Sequence, residues 1–234
     1  MSLGNPSAAA VIVGGGSGTR FGGEKLTQAL AGKPLIAHTL AAFESSPEIS
    51  AIVLVVPAGE EEKFCTIAYD AGIAKLHVVI AGGAHRHESV LKGLKALPAG
   101  IDLAAIHDAA RPLVTPTLIG GVVCAAREHG AAAVAAPVTD TLQQVDGEGN
   151  ASGTADRSAL RAMQTPQVFR TGEILELLSG TSGVPTDEVS VAVASGRKVL
   201  LVEHSEPNLK VTWPQDVVMA EALLIARGGK SPGA

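Results

Sequence analysis

Thirteen residues near the amino end, Val13 to Lys25 (VGGGSGTRFGGEK), carry six glycines and the two cations Arg20 and Lys25. Glycine loses more backbone freedom on ordering than any other residue, so a glycine cluster needs a reason. A flexible linker would not use the cations and would not follow the apolar run AAAVIV. A loop whose N–H groups close around an anion uses both. The segment is neither a dinucleotide fingerprint nor a P-loop, because Phe21 stands where the last glycine of G-x-G-x-x-G would fall and no G-K-[ST] is present. A tight turn with two solvated cations is the plain alternative.

Three other short stretches carry chemistry. AGGAHRHES (81–89) brings a glycine pair, Arg86 and Ser89, HDAARP (107–112) brings Asp108 and Arg111, and NLKVT (208–212) brings Lys210. A carboxylate beside a polyphosphate is a natural ligand for Mg²⁺, which is held by one or two carboxylates plus substrate phosphates. A structural Asp108–Arg111 ion pair is the competing expectation. His107 reads as a structural histidine, not a base, and His85 and His87 read as surface residues.

These stretches all follow short apolar, β-branched runs. Strands are expected at 8–13, 51–56, 76–80, 103–107, 131–137 and 198–203, and helices at 34–45, 60–72, 86–97, 116–130, 171–180 and 214–227. Pro34, Pro116 and Pro214 suit helix starts, and Gly72 and Gly130 suit helix ends. Such alternation predicts an α/β doubly wound, mostly parallel sheet with helices on both faces, a Rossmann-like fold. In that architecture ligands bind beyond the carboxyl ends of the strands, so the four stretches should converge. Residues 138–162 break the rhythm with a polar hairpin pattern around Gly, Asn and Asp. They are read as a protruding β-hairpin arm that serves dimerisation and substrate binding. One domain is expected over 8–228, with 1–7 and 229–234 as flexible ends.

The composition sets limits. Hydrophobic residues make up 46% of the 234-residue chain while only six residues are aromatic, so the core must be packed from Ala, Val, Leu and Ile. A net charge of -5 argues against a nucleic-acid polymer as partner. The distant Cys65 and Cys124 form no C-x-x-C and fit a reduced compartment. No apolar run of spanning length and no signal peptide are seen, so a cytoplasmic location is expected and no membrane partner.

Read in order, GGGSGTR with Lys25, GGAHRHESV, HDAARP, DTLQQV, ADR, QTPQVF, TDE and NLKVT resemble the 2-C-methyl-D-erythritol 4-phosphate cytidylyltransferases over nearly the whole chain. The resemblance implies that CTP and a sugar-alcohol phosphate, methylerythritol phosphate, are joined with release of pyrophosphate, in non-mevalonate isoprenoid biosynthesis. It implies nucleotide binding by Gly14, Gly15, Gly16, Gly18, Gly83, Arg86 and Ser89, and catalytic charge from Arg20 and Lys25. It implies methylerythritol phosphate binding by Arg111, Thr141, Arg157, Thr165, Thr186 and Lys210, Mg²⁺ at Asp108, and a homodimer in which Arg157 reaches the neighbouring site. The chain departs from the family pattern in several places. Gly14 and Gly15 stand where alanines are usual, Lys25 lies closer to Arg20, Ala84 replaces a common Asp, and Pro207 replaces a frequent Asp. Lys33 is the substitute for Lys25. A ribitol 5-phosphate cytidylyltransferase, a molybdenum-cofactor nucleotidyltransferase and a non-catalytic nucleotide sensor are the alternative readings.

Overall fold

The computed structural model describes residues 7–15 and 24–228. Gly16, Gly18 and Arg20, and the expected flexible ends apart from Ser7, lie outside the described residues. Ser7 itself is anchored: its N–H donates to Asp102 Oδ2 at 2.8 Å.

A seven-stranded sheet forms from β1 (Ala8–Val13), β4 (Ile49–Val56), β5 (Leu76–Ala81), β6 (Leu103–Asp108), β7 (Ala131–Pro137), β10 (Arg161–Arg170) and β11 (Leu200–Glu203). Their order is β11-β7-β10-β6-β1-β4-β5, and only β10 runs antiparallel to its neighbours. Two small pairs stand apart, β2 (Ala29–Leu30) with β3 (Lys33–Pro34), and β8 (Gln143–Val145) with β9 (Ala151–Thr154). The helices are α1 (Leu35–Glu44), α2 (Glu61–Asp70), α3 (Arg86–Lys95), α4 (Pro116–His129), α5 (Thr171–Gly180), α6 (Glu188–Ala194) and α7 (Pro214–Gly228).

Strand alternation sends side chains to two cores. Ala10 and Ile12 pack with Ile36, Leu40 and Phe43 of α1 and with Ile119 and Val122 of α4. Val11 and Val13 pack with Val90 and Leu94 of α3 and with Ile174 and Leu178 of α5. β1 is buried on both faces, as a parallel strand between helical layers requires. Local chemistry sets the helix ends. Thr115 Oγ1 accepts from Leu118 N ahead of Pro116, and Gly130 ends α4 with φ 85°.

The expected strands and helices form, with two differences. Residues 161–170 are a ten-residue strand in the middle of the sheet, so the arm region ends before them and Arg161 and Ala162 pair with β7. Residues 188–194 form a helix that the valine-rich EVSVAVA hides; Asp187 and Ser190 close it with a capping box. The arm region, 138–160, carries the antiparallel β8–β9 pair, which is exposed along most of its length.

After β1 the chain builds β4 and β5 on one side, then returns to place β6 on the other. The strand order therefore reverses between β1 and β6, where a doubly wound sheet opens its crevice. Val13 pairs with Asp108 across this point, so Gly14 and the carboxylate leave the sheet side by side.

Close packing of α3 on β1 depends on Gly93, where an added Cβ would overlap Val11 Cγ1 and lie 3.0 Å from Val55 Cγ2. Gly93→Ala is expected to destabilise the protein by about 1–3 kcal/mol through overpacking. Denaturant titration checks this, and an unchanged midpoint would contradict the packing account.

Candidate active site

Asp108 ends β6 and is almost fully buried. Its backbone N–H donates to Thr165 Oγ1 at 3.1 Å, which ties the end of β6 to β10. Its carboxylate gathers three cations from three parts of the chain. Arg86 Nε, at the start of α3, donates to Oδ1 at 3.1 Å, and Lys210 Nζ donates to Oδ2 at 2.8 Å. Arg111 Nε stands 3.7 Å from Oδ2. The expected Asp108–Arg111 pair is thus the longest of the three, because Arg111 spends Nη1 on the Asn208 carbonyl at 2.8 Å.

Burial alone would raise the Asp108 pKa, but the charges of Arg86, Lys210 and Arg111 outweigh it and hold the carboxyl well below the usual range. Arg86 is stabilised in turn by Glu188, whose Oε1 accepts from Nη1 at 2.7 Å. Burial pushes the Glu188 carboxyl up while Arg86 opposes it. Glu188 was not singled out from the sequence. Its signal was the acid that opens an otherwise apolar segment straight after TD, a position that the helix start buries.

His107 is fully buried against the Phe43 ring at 4.9 Å, and its Nδ1 lies 3.0 Å from Thr165 Oγ1. Burial drives its pKa down to about 3, so it is neutral at physiological pH. It is the structural histidine expected. His85 is exposed, while His87 is partly buried and stacks on it with centroids 5.8 Å apart.

The loops beside Asp108 come very close together. Gly14 N donates to Val55 O at 2.7 Å, and Gly82 N to Val56 O at 2.8 Å. A Cβ on Gly15 would lie 3.0 Å from Ser89 Oγ and 3.4 Å from Gly82 Cα. Ser89 is buried, with its hydroxyl accepting from Gly83 N at 3.0 Å and donating to His85 O at 3.2 Å. It props the 82–85 turn from beneath. A side chain at Gly83 would overlap Glu88 Cβ, so this turn also excludes larger residues.

The other expected site residues sit farther out. Lys25 opens a short 3₁₀ turn, Lys25–Thr27, and Lys33 is exposed in β3. Thr186 is exposed just before α6, with Oγ1 donating to Ser190 Oγ at 3.2 Å. Thr141 and Arg157 lie on the arm, where Arg157 Nη1 donates to the Thr139 carbonyl. The structure therefore brings Arg86, Asp108, Arg111, Thr165 and Lys210 into one cluster and keeps Thr141 and Arg157 out of it.

Mg²⁺ was expected at Asp108. Among the described residues no group of three His, Cys, Asp or Glu side chains could hold a metal ion. Both Asp108 oxygens already face cations. In this arrangement the carboxylate is a counter-anion that orders cations. A separate cavity of about 350 Å³, lined in part by Gly130, Phe169 and Arg170, opens at the opposite ends of the strands, away from Asp108.

Gly14, Gly15 and a cation cluster beside the switch point of a doubly wound sheet define a nucleotidyltransferase-like α/β protein. The family model for 2-C-methyl-D-erythritol 4-phosphate cytidylyltransferase matches residues 8–226. A relative of that name from Cereibacter sphaeroides is 43% identical over 227 residues, 95% of this chain and 99% of its own. One from Desulforamulus reducens is 42% identical over 224 residues, 93% of this chain and 96% of its own. Two crystal structures share the fold. The 4-diphosphocytidyl-2C-methyl-D-erythritol synthase of Anaerococcus prevotii has a TM-score of 0.84 at 26% identity, covering 94% of this chain and 97% of its own. The 2-C-methyl-D-erythritol 4-phosphate cytidylyltransferase of Thermus thermophilus has a TM-score of 0.74 at 33% identity, covering 93% and 98%. The chain belongs to the 2-C-methyl-D-erythritol 4-phosphate cytidylyltransferase family.

Asp108→Asn keeps the shape, leaves Lys210 and Arg111 uncompensated, and leaves Arg86 with Glu188 alone. At pH 7 it is expected to cost about 2 kcal/mol, discounted from fully buried pairs because Arg86 and Lys210 reach solvent. The folded pKa is lowered, so the wild-type advantage is complete above the unfolded value of about 3.9, shrinks progressively as pH falls below it, and is gone once pH has fallen through the folded value. Denaturant titrations at pH 7 and pH 3 measure both. Equal stability at pH 7, or an undiminished gap at pH 3, would contradict the cluster's electrostatics.

Proposed function

We propose that this protein joins CTP and 2-C-methyl-D-erythritol 4-phosphate into 4-diphosphocytidyl-2-C-methyl-D-erythritol and pyrophosphate, a step of non-mevalonate isoprenoid biosynthesis. The observation that carries the reading is a family match spanning residues 8–226, with Asp108 and its cations at the carboxyl end of the sheet. A phosphate oxygen of the sugar alcohol attacks the α-phosphorus of CTP. The new P–O bond replaces the bond to the β-phosphate, and pyrophosphate leaves. A phosphate monoester has a second pKa of about 6, so it is mostly a dianion at neutral pH and needs no base. That suits a site whose buried histidine is neutral and packed away. What remains is to bring polyanions together, by positioning and charge.

In this reading the glycine loop, from Gly14 and Gly15 to Gly16 and Gly18, wraps the triphosphate, and Gly83, Arg86 and Ser89 shape the nucleoside side. Arg20 and Lys25 supply charge as pyrophosphate forms. Arg111, Thr165, Thr186 and Lys210 face methylerythritol phosphate. Mg²⁺ is left to the oxygens of the triphosphate, because Asp108 already faces three cations. The protein works as a homodimer in the cytoplasm, each arm bringing Thr141 and Arg157 to the neighbour's site. One feature supports the dimer. Val145 on the arm is 63% exposed and Leu142 and Leu160 also face solvent, apolar surface that a partner would cover. Among the described residues no helix is long and apolar enough to cross a membrane.

Pyrophosphate release from CTP, followed with methylerythritol phosphate, ribitol 5-phosphate and a molybdopterin acceptor in turn, tests the activity. Release with methylerythritol phosphate is expected. Release with another acceptor alone, or CTP binding without release, would overturn the reading. The dimer is tested by mixing. Arg157→Ala and Lys210→Ala are each expected to lower turnover by roughly 10²-fold or more. Mixed subunits then restore activity, because one site of each heterodimer is intact in both residues. No recovery after demonstrated subunit exchange would place Arg157 in its own subunit's site.

A further inference from the structure

The strand β10 is interrupted where it passes the cluster. Its ladder with β7 holds at Met163 and resumes at Gln167, leaving Gln164, Thr165 and Pro166 out of register. An interrupted ladder re-aims side chains, and here it turns two glutamines toward two different loops.

Gln164 Oε1 accepts from Asn208 Nδ2 at 2.9 Å and lies 3.0 Å from His204 Nε2. Asn208 is buried and uses the same Nδ2 to reach the Thr165 carbonyl at 2.9 Å, while its own backbone carbonyl receives Arg111. Two residues on, Lys210 meets Asp108, and Val211 N donates to Ala110 O at 2.8 Å. Gln167 faces the other way. Its Nε2 donates to Asp187 Oδ2 at 2.9 Å and its Oε1 accepts from Val189 N at 3.1 Å. These bonds hold the first turn of α6, next to Thr186 and around Glu188, the partner of Arg86.

We infer that Gln164 and Gln167 are positioning residues for the sugar-phosphate substrate, two ends of one clamp that register the Lys210 segment and the start of α6 against Asp108. Neither glutamine needs to touch substrate for this. An unpaired buried amide is costly, by about 1–3 kcal/mol, and Gln167 is 1% exposed with donors and acceptors engaged. Each glutamine bridges two chain segments distant in sequence, so its loss releases a loop and not merely a side chain. A displacement of about 1 Å in a positioning group costs on the order of 10²-fold in rate.

The inference rests on the proposed roles of Lys210 and Thr186, and the experiment separates the two. Kinetics are measured for Lys210→Ala, Gln164→Leu and the double variant, with folding checked by thermal melting. Gln164→Leu is expected to raise KM for methylerythritol phosphate about tenfold, the size of one lost hydrogen-bond pair, with KM for CTP within about twofold. Because the clamp acts through Lys210, adding Gln164→Leu to Lys210→Ala should raise that KM little further. Gln167→Glu keeps the shape but sets a carboxylate against Asp187, and should also raise KM for methylerythritol phosphate selectively. If Lys210→Ala leaves KM for methylerythritol phosphate unchanged, the role of Lys210 falls, and the clamp's purpose with it. If Lys210→Ala raises it while folded Gln164→Leu and Gln167→Glu do not, or if the two effects multiply in the double variant, the clamp alone is overturned. Should Gln164→Leu not fold, Asn208→Asp, which has the shape but lacks the donor, carries the same expectation and the same refutation.

Discussion

One carboxylate organises this molecule. Asp108 leaves the sheet at the switch point and is charged in a place where charge is expensive. It is tolerable only because Arg86, Arg111 and Lys210 meet it, and they come from the start of α3, the turn after β6 and the segment before α7. The requirement runs both ways. The cations need an anion to stand close together without ligand, and the anion needs them to remain charged. The result is a set of positive groups gathered before any phosphate arrives, which lowers the reorganisation left for the reaction itself.

The rest of the fold serves that arrangement. Parallel strands buried on both faces fix the end of β6 to within the tolerance of a packed core. Gly14, Gly15 and Gly82 let two loops approach until a single Cβ would crowd Ser89 or Leu26. β10, the antiparallel strand, carries the hydroxyl that joins His107 to Asp108 and the glutamines that hold the outer segments. Glu188 extends the alternation of charge one layer further, from Asp108 through Arg86 to the start of α6.

Much of this was legible in the sequence. AAAVIV, LAAIH and the other β-branched runs announced a parallel sheet, and the position of charged stretches after them announced their convergence. β10 was not legible because Pro166 and two glutamines interrupt RAMQTPQVFR, a pattern that argues against a central strand; tertiary pairing with β6 and β7 decided otherwise. α6 was hidden by its valines, and its capping box prevailed over their strand preference. In the site, spacing pointed to Arg111 at three residues from Asp108. The shorter contacts are to Arg86 and Lys210, at separations of 22 and 102 residues that no local pattern reveals. The family resemblance had named both residues, yet as ligands of substrate, not as partners of this carboxylate.

The central claim is that Asp108 holds these cations in the ligand-free protein. It is tested most directly by ¹⁵N NMR of the lysine ammonium groups, with Lys210 assigned through Lys210→Arg. The account predicts a hydrogen-bonded, slowly exchanging Lys210 ammonium signal that is lost in Asp108→Asn. A Lys210 signal exchanging as freely as surface lysines, or one untouched by Asp108→Asn, would contradict it.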